Sequence, residues 1–224
     1  MLNKILFIAP HPDDETLGCG GTILKYKKEK KSKIYWLIMT KLSKNKGFTE
    51  EKVNRREDEI KKVAHNYGFE KVFKLDYSPG KLDTTPIIKM ISDVKNILEK
   101  IKPECIYIPN RSDIHSDHRI VFNVLMSALK SFRTAYVKKI LMYEVLSETE
   151  FAPSLIENAF IPNVFVDISD YVEEKIRIMK LYEGEMAKPP FPRSEENIRA
   201  LARLRGSMSN CNYSESFMLL KEIC

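Results

Sequence analysis

Ile34-Tyr35-Trp36-Leu37-Ile38-Met39 is an unbroken apolar run with no charge and no polar alternation. A strand of that composition is buried on both faces, the condition of a strand inside a parallel sheet covered by helices. It belongs to a longer β-rich run over 33–40, and similar runs lie at 4–9, 71–77, 105–109, 138–145 and 163–169. Segments of helical period separate them, at 16–29, 51–67, 85–101 and 117–132. In the third of these, Met90, Val94, Ile97, Leu98 and Ile101 fall on one broad face with Ile87, Ile88 and Ile91. The alternation predicts an α/β fold: a doubly wound, Rossmann-like, mainly parallel sheet flanked by helices.

The last third reads differently. Pro153, Pro162, Pro189, Pro190 and Pro192 punctuate it, with helices expected at 171–186 and 194–206 and little strand between them. This predicts a helical and loop elaboration over about 171–224, perched on a core of about 1–170. Together they make one domain spanning 1–224.

At 224 residues, 43% hydrophobic and 30% charged, the chain can bury a full core without staples. A bound metal would therefore serve chemistry rather than folding. The net charge of +6 raises the question of nucleic acid. The densest basic run, Lys25 to Lys33, reads as a helix end entering a turn, where lysines favour the dipole and stay in water. No arginine-rich stretch with interleaved aromatics accompanies it, so no nucleic-acid partner is expected. Cys19, Cys105, Cys211 and Cys224 are far apart and form no Cys-x-x-Cys pair, which suits a reducing compartment. The apolar stretch from Leu2 to Ala9 is too short for a secretory signal, and no run is long enough to span a bilayer. A cytoplasmic chain with no membrane insertion is the expectation.

All histidines but His65 fall in two motifs. His11-Pro12-Asp13-Asp14-Glu15 follows the first strand, and Asp113-Ile114-His115-Ser116-Asp117-His118 follows the fourth. In a sheet of order 3-2-1-4-5, strands one and four are neighbours at the switch point, where such folds bind ligands. Two imidazoles and a carboxylate converging there suit zinc with a position left for water. The plainer alternatives are helix capping by the three acids and a surface pair of His115 with His118. Gly18-Cys19-Gly20-Gly21 lacks dinucleotide-loop spacing, and the preceding acids would repel a pyrophosphate. Those glycines are expected to let the first helix approach the sheet or the metal. His65 is expected to be exposed.

These residues resemble the PIG-L/LmbE family of zinc-dependent N-acetyl amino-sugar deacetylases. Its Ala-His-Pro-Asp-Asp-Glu hallmark appears as Pro10 to Glu15, and its His-Pro-Asp-His as His115 to His118. Arg56-x-x-Glu59 is similar to the family's Arg-x-x-Glu helix, and Pro192-Arg193-Ser194 and Glu215-Ser216-Phe217 to its bacterial branch. Pro10 for alanine and Ser116 for proline touch no reactive atom; the loop Tyr77 to Gly80 lacks an aspartate that relatives often carry.

The resemblance implies that His11, Asp14 and His118 hold Zn2+, or another divalent ion such as Fe2+. Asp13 would act as general base towards a zinc-activated water. His115, held protonated by Asp117, would stabilise the oxyanion. Arg56 would bind substrate, against the alternative of an intrahelical pair with Glu59; Tyr143 and Arg193 are further candidates. The implied activity is hydrolysis of the acetamide of an N-acetylated sugar or conjugate by a homo-oligomer. An amidase for another acylated amine or thiol conjugate, and a metal-free nucleotide-binding module, are the competing readings.

Overall fold

The computed structural model describes residues 2–29 and 31–224. The chain runs β1 (Lys4–Ala9), α1 (Asp14–Lys28), β2 (Lys33–Thr40), α2 (Glu50–Tyr67), β3 (Lys71–Tyr77), α3 (Ile87–Ile101), β4 (Cys105–Pro109) and α4 (Ser116–Ala128). It continues through β5 (Lys139–Tyr143), β6 (Val164–Asp167), α5 (Val172–Met179), α6 (Glu195–Met208) and β7 (Ser214–Glu222). One sheet of order β3-β2-β1-β4-β5-β7-β6 gathers all the described strands. β1 to β5 are mutually parallel, and β7 lies antiparallel between β5 and β6.

Both faces of the sheet are covered, as the apolar runs require. Ile5, Phe7 and Ala9 point into the layer that holds α1, α2, α5 and α6, while Leu6 and Ile8 point into the layer of α3 and α4. In β2, Trp36 and Ile38 join the first layer, and Leu37 and Met39 the second. The helix after β1 thus leaves to one face and the helix after β4 to the other, which opens a crevice between the carboxyl ends of these neighbours.

The last third holds more strand than a helical and loop elaboration implies. It inserts β7, nine residues long, inside the sheet, with Phe217 fully buried. The helix expected over 171–186 stops at Met179. Two of the Gly18–Gly21 glycines are needed for close approach to the sheet side rather than to the site. A Cβ on Gly18 would lie 2.3 Å from the Tyr143 ring, and one on Gly21 would lie 2.6 Å from Ile168. The lysine run is a solvated helix end, with Lys27 on Glu70 and Lys28 on Glu174; its Lys30 lies outside the described residues.

Candidate active site

His11 to Asp13 form the turn between β1 and α1. Asp13 holds φ at 131°, a region that residues with a side chain rarely occupy. Its carbonyl accepts from Thr16 N and Leu17 N, yet its carboxylate makes no cap bond to the helix. Capping does not describe this acid. The carboxylate instead accepts from Arg193 Nη1 at 2.8 Å. Asp14, one residue on, turns its Oδ2 inward. That oxygen accepts from the His11 main-chain N–H at 2.8 Å and lies 3.5 Å from His11 Nδ1 and 3.3 Å from His118 Nε2.

His118 reaches this point from the first turn of α4 and is wholly buried. Asp113 Oδ2 lies 2.8 Å from its Nδ1, and the Asp113 carboxylate also accepts from Asn110 and Thr149. A carboxylate accepts, so Nδ1 carries a proton, and once the ring is neutral it is Nε2 that offers the lone pair. That buried Nε2 has no hydrogen-bond partner. An orphaned imidazole nitrogen, its other nitrogen fixed by a carboxylate, fits a metal ligand. Ligand atoms of His11, Asp14 and His118 lie within 4.8 Å of one another.

His11, His115 and Asp117 form a second such group. Its Asp117 carboxylate, His11 Nε2 and His115 Nδ1 are already engaged. The Asp117 carboxylate accepts from Gly80 N at 2.6 Å and Leu82 N at 3.2 Å, and pairs with His11 Nε2 at 3.0 Å. His115 Nδ1 accepts from the Asp117 main-chain N–H at 3.1 Å. This corrects the expected pairing: the Asp117 carboxylate bonds His11 rather than His115. An Nδ1 that accepts places the proton of a neutral His115 on Nε2. Burial and the positive charges of His11 and His118 hold His115 down at about 4.

The carboxylates around His11 and His118 favour positive charge on both rings. Burial pulls His11 and His118 down, but it is outweighed: Asp117 and Asp14 lift His11 to about 9, and Asp14 and Asp113 lift His118 to about 10. Burial and the neighbouring Asp14 push Asp13 upward against the pull of Arg193. Burial also lifts Glu15 to about 7.

A cavity of about 250 Å³ opens beside this cluster, bounded by His11, Asp13, His115, Arg56, Glu185 and Arg193. Arg56 donates to Pro12 O at 3.1 Å and pairs with both Glu185 and Glu59, so the intrahelical pair and the place on the cavity wall coexist. Tyr143 is a core residue whose hydroxyl donates to Ile8 O. His65 is exposed. Sequence reasoning passed over Asp113, although it stands five residues before His118 in the second motif. It also passed over Glu148 and Glu185, which sit in loops without any period.

The family model described as PIG-L, GlcNAc-PI de-N-acetylase, matches residues 6–129. The chain belongs to the PIG-L family. The matched span contains both loops of the cluster, and the last third of this PIG-L chain lies beyond it. The chain is 27% identical to diacetylchitobiose deacetylase of Thermococcus kodakarensis, over 99% of this chain and 85% of that protein. The fold is that of N,N'-diacetylchitobiose deacetylase from Pyrococcus horikoshii, solved with an inhibitor, at TM-score 0.77 and 22% identity over 98% and 84% of the two chains. It is also that of 4-carboxy-2-hydroxymuconate hydratase from Pseudomonas putida, at TM-score 0.74 and 16% identity over 99% and 98%. The fold alone therefore does not choose the reaction.

Proposed function

We propose that this PIG-L chain is a metal-dependent N-deacetylase that hydrolyses the acetamide of an N-acetylglucosamine-type sugar or conjugate. The orphaned Nε2 of His118, facing Asp14 and His11, carries the reading. His11, Asp14 and His118 would hold the ion. Two imidazoles and one carboxylate with open positions match zinc better than calcium or magnesium, with Fe2+ the alternative. When bound, such an ion supplies Lewis acidity, polarising the acetamide carbonyl and acidifying a water.

The chain's own groups account for the proton movements. Asp13 reaches the cavity with a carboxylate biased upward by burial and by Asp14, suited to take a proton from the attacking water and return it to the departing amine. His115, neutral with its proton on Nε2, donates a hydrogen bond to the oxyanion as the carbonyl becomes tetrahedral. Asp117 fixes the His11 ring, and Asp113 fixes the tautomer of His118. Arg56 stands on the wall where sugar hydroxyls would lie.

The free cysteines support a reducing, cytoplasmic setting, and no described helix is long and apolar enough to cross a membrane. Exposed Phe151, Leu155, Ile156 and Ile161 support a chain that self-associates.

Acetate release from N,N'-diacetylchitobiose, with the protein metal-stripped and then reloaded, tests the reading. Release that appears only after reloading is expected. Equal release from stripped and loaded protein, or none from the loaded protein across N-acetylated sugars, rejects it.

A further inference from the structure

Asp13 adopts a backbone conformation that its own residue type disfavours, so something must hold it there. Two chains of contacts reach it, both from the segment between α5 and α6. The first acts on the main chain. Asp13 N donates to Glu15 Oε2 at 3.1 Å, and Glu15 Oε1 accepts from Tyr182 Oη at 2.7 Å and from Thr16 Oγ1 at 2.6 Å. Tyr182 and Glu15 are both fully buried, so water offers neither an alternative partner.

The second chain acts on the carboxylate. Arg193 Nη1 donates to Asp13 Oδ2 at 2.8 Å and to Glu185 Oε2 at 3.0 Å. Its Nη2 donates to Glu148 at 3.3 Å and its Nε to Ser147 Oγ at 2.7 Å. The guanidinium plane is thus set from three sides before it meets Asp13. Its main chain is set as well. Arg193 directly precedes Ser194, the N-cap of α6, whose hydroxyl accepts from Asn197 N at 3.1 Å. Asn197 in turn bonds Pro192 O at 3.1 Å.

We propose that Tyr182 and Arg193 are positioning residues for Asp13, one fixing its strained main chain through Glu15 and the other aiming its carboxylate. The inference rests on Asp13 being the base. It makes the last third of the chain part of the catalytic apparatus without its touching the metal. A misplacement of about 1 Å at a reacting group can cost about 100-fold in rate, so these two contacts control turnover more than substrate affinity.

Steady-state kinetics on N,N'-diacetylchitobiose, with metal content measured in parallel, test it on Arg193→Ala, Arg193→Lys, Tyr182→Phe and Asp13→Asn. Arg193→Ala is expected to keep its metal and its KM within about twofold, and to lose about 10- to 100-fold in kcat. Millimolar guanidinium should restore part of that loss, which it would not do for a merely misfolded chain. Arg193→Lys, the safer variant for folding, should fall between. Tyr182→Phe should lose less in kcat and gain nothing from guanidinium. Wild-type kcat in Arg193→Ala beside an inactive Asp13→Asn overturns the brace alone, as does a loss confined to KM. Wild-type kcat in Asp13→Asn instead removes the premise, and the brace with it.

Discussion

The parallel strands β1 to β5 and the last third of the chain share one apolar layer but differ in what else holds them. In the parallel part, neighbouring strands present apolar side chains alternately to two layers, and burial of that surface supplies the cohesion. The last third also buries apolar residues, among them Val172, Ile176 and Phe217, but adds buried polar pairs to them. Lys175 Nζ bonds Glu215 at 2.7 Å and Leu17 O at 2.7 Å, and the Glu215 carboxylate accepts from Gly21 N and Thr22 N inside α1. Arg205 pairs with Glu144, which also accepts from Ser216. One region rests on hydrophobicity alone, and the other combines it with buried charge. The first delivers the candidate metal ligands, and the second delivers the groups that surround Asp13.

Breaking the buried ion pair of the last third should have the largest effect on stability. Lys175→Met leaves Glu215 buried with no cation beside it, and losing one partner of such a pair costs about 3–5 kcal/mol. The midpoint of denaturant unfolding should fall accordingly while the metal stoichiometry of the folded protein stays the same. An unchanged midpoint would show that the pair does not hold β7 and α5 to α1.

The complementary change sharpens the contrast from the metal side. Asp113→Asn weakens the group that fixes the His118 tautomer, and loss of such a contact typically costs about 10- to 100-fold in metal affinity. The expected result is weaker binding of a divalent ion in a competition titration, with a smaller shift in unfolding midpoint than Lys175→Met produces. Unaltered affinity would mean that Asp113 serves the fold alone.

The same contrast explains what could be read in advance. The first four strands fall where their runs predict; in β1, β2 and β4, a strand buried on both faces has no polar position to blur its ends. The two motif loops were legible because the strand order brings the ends of β1 and β4 together. β7 escaped because it opens with Ser214-Glu215-Ser216, whose burial is offset by partners distant in sequence: Lys175 for Glu215 and Glu144 for Ser216. Hydropathy carries no trace of such pairing. Arg193 stood out only as part of Pro192-Arg193-Ser194 and as a further candidate for the site, since its contacts with Asp13, Ser147, Glu148 and Glu185 link loops with no period to betray them. The role expected of Asp117 misled because spacing along a helix start does not say which imidazole a carboxylate will meet.

The central claim is that His11, Asp14 and His118 hold one divalent ion. In the metal-free chain His11 and His118 are raised to about 9 and about 10. Their protonation stabilises that form fully below about 6.5, and the contribution is lost as pH climbs through the raised values. A metal must displace those protons, so its apparent affinity should increase with pH until they are gone. Calorimetric titration of Zn2+ into stripped protein at pH 7, in buffers of different protonation enthalpy, reads both quantities at once. The account predicts one ion per chain, release of protons on binding, and loss of the site in His118→Ala. Full-affinity binding in His118→Ala, or binding with no proton release, would contradict it.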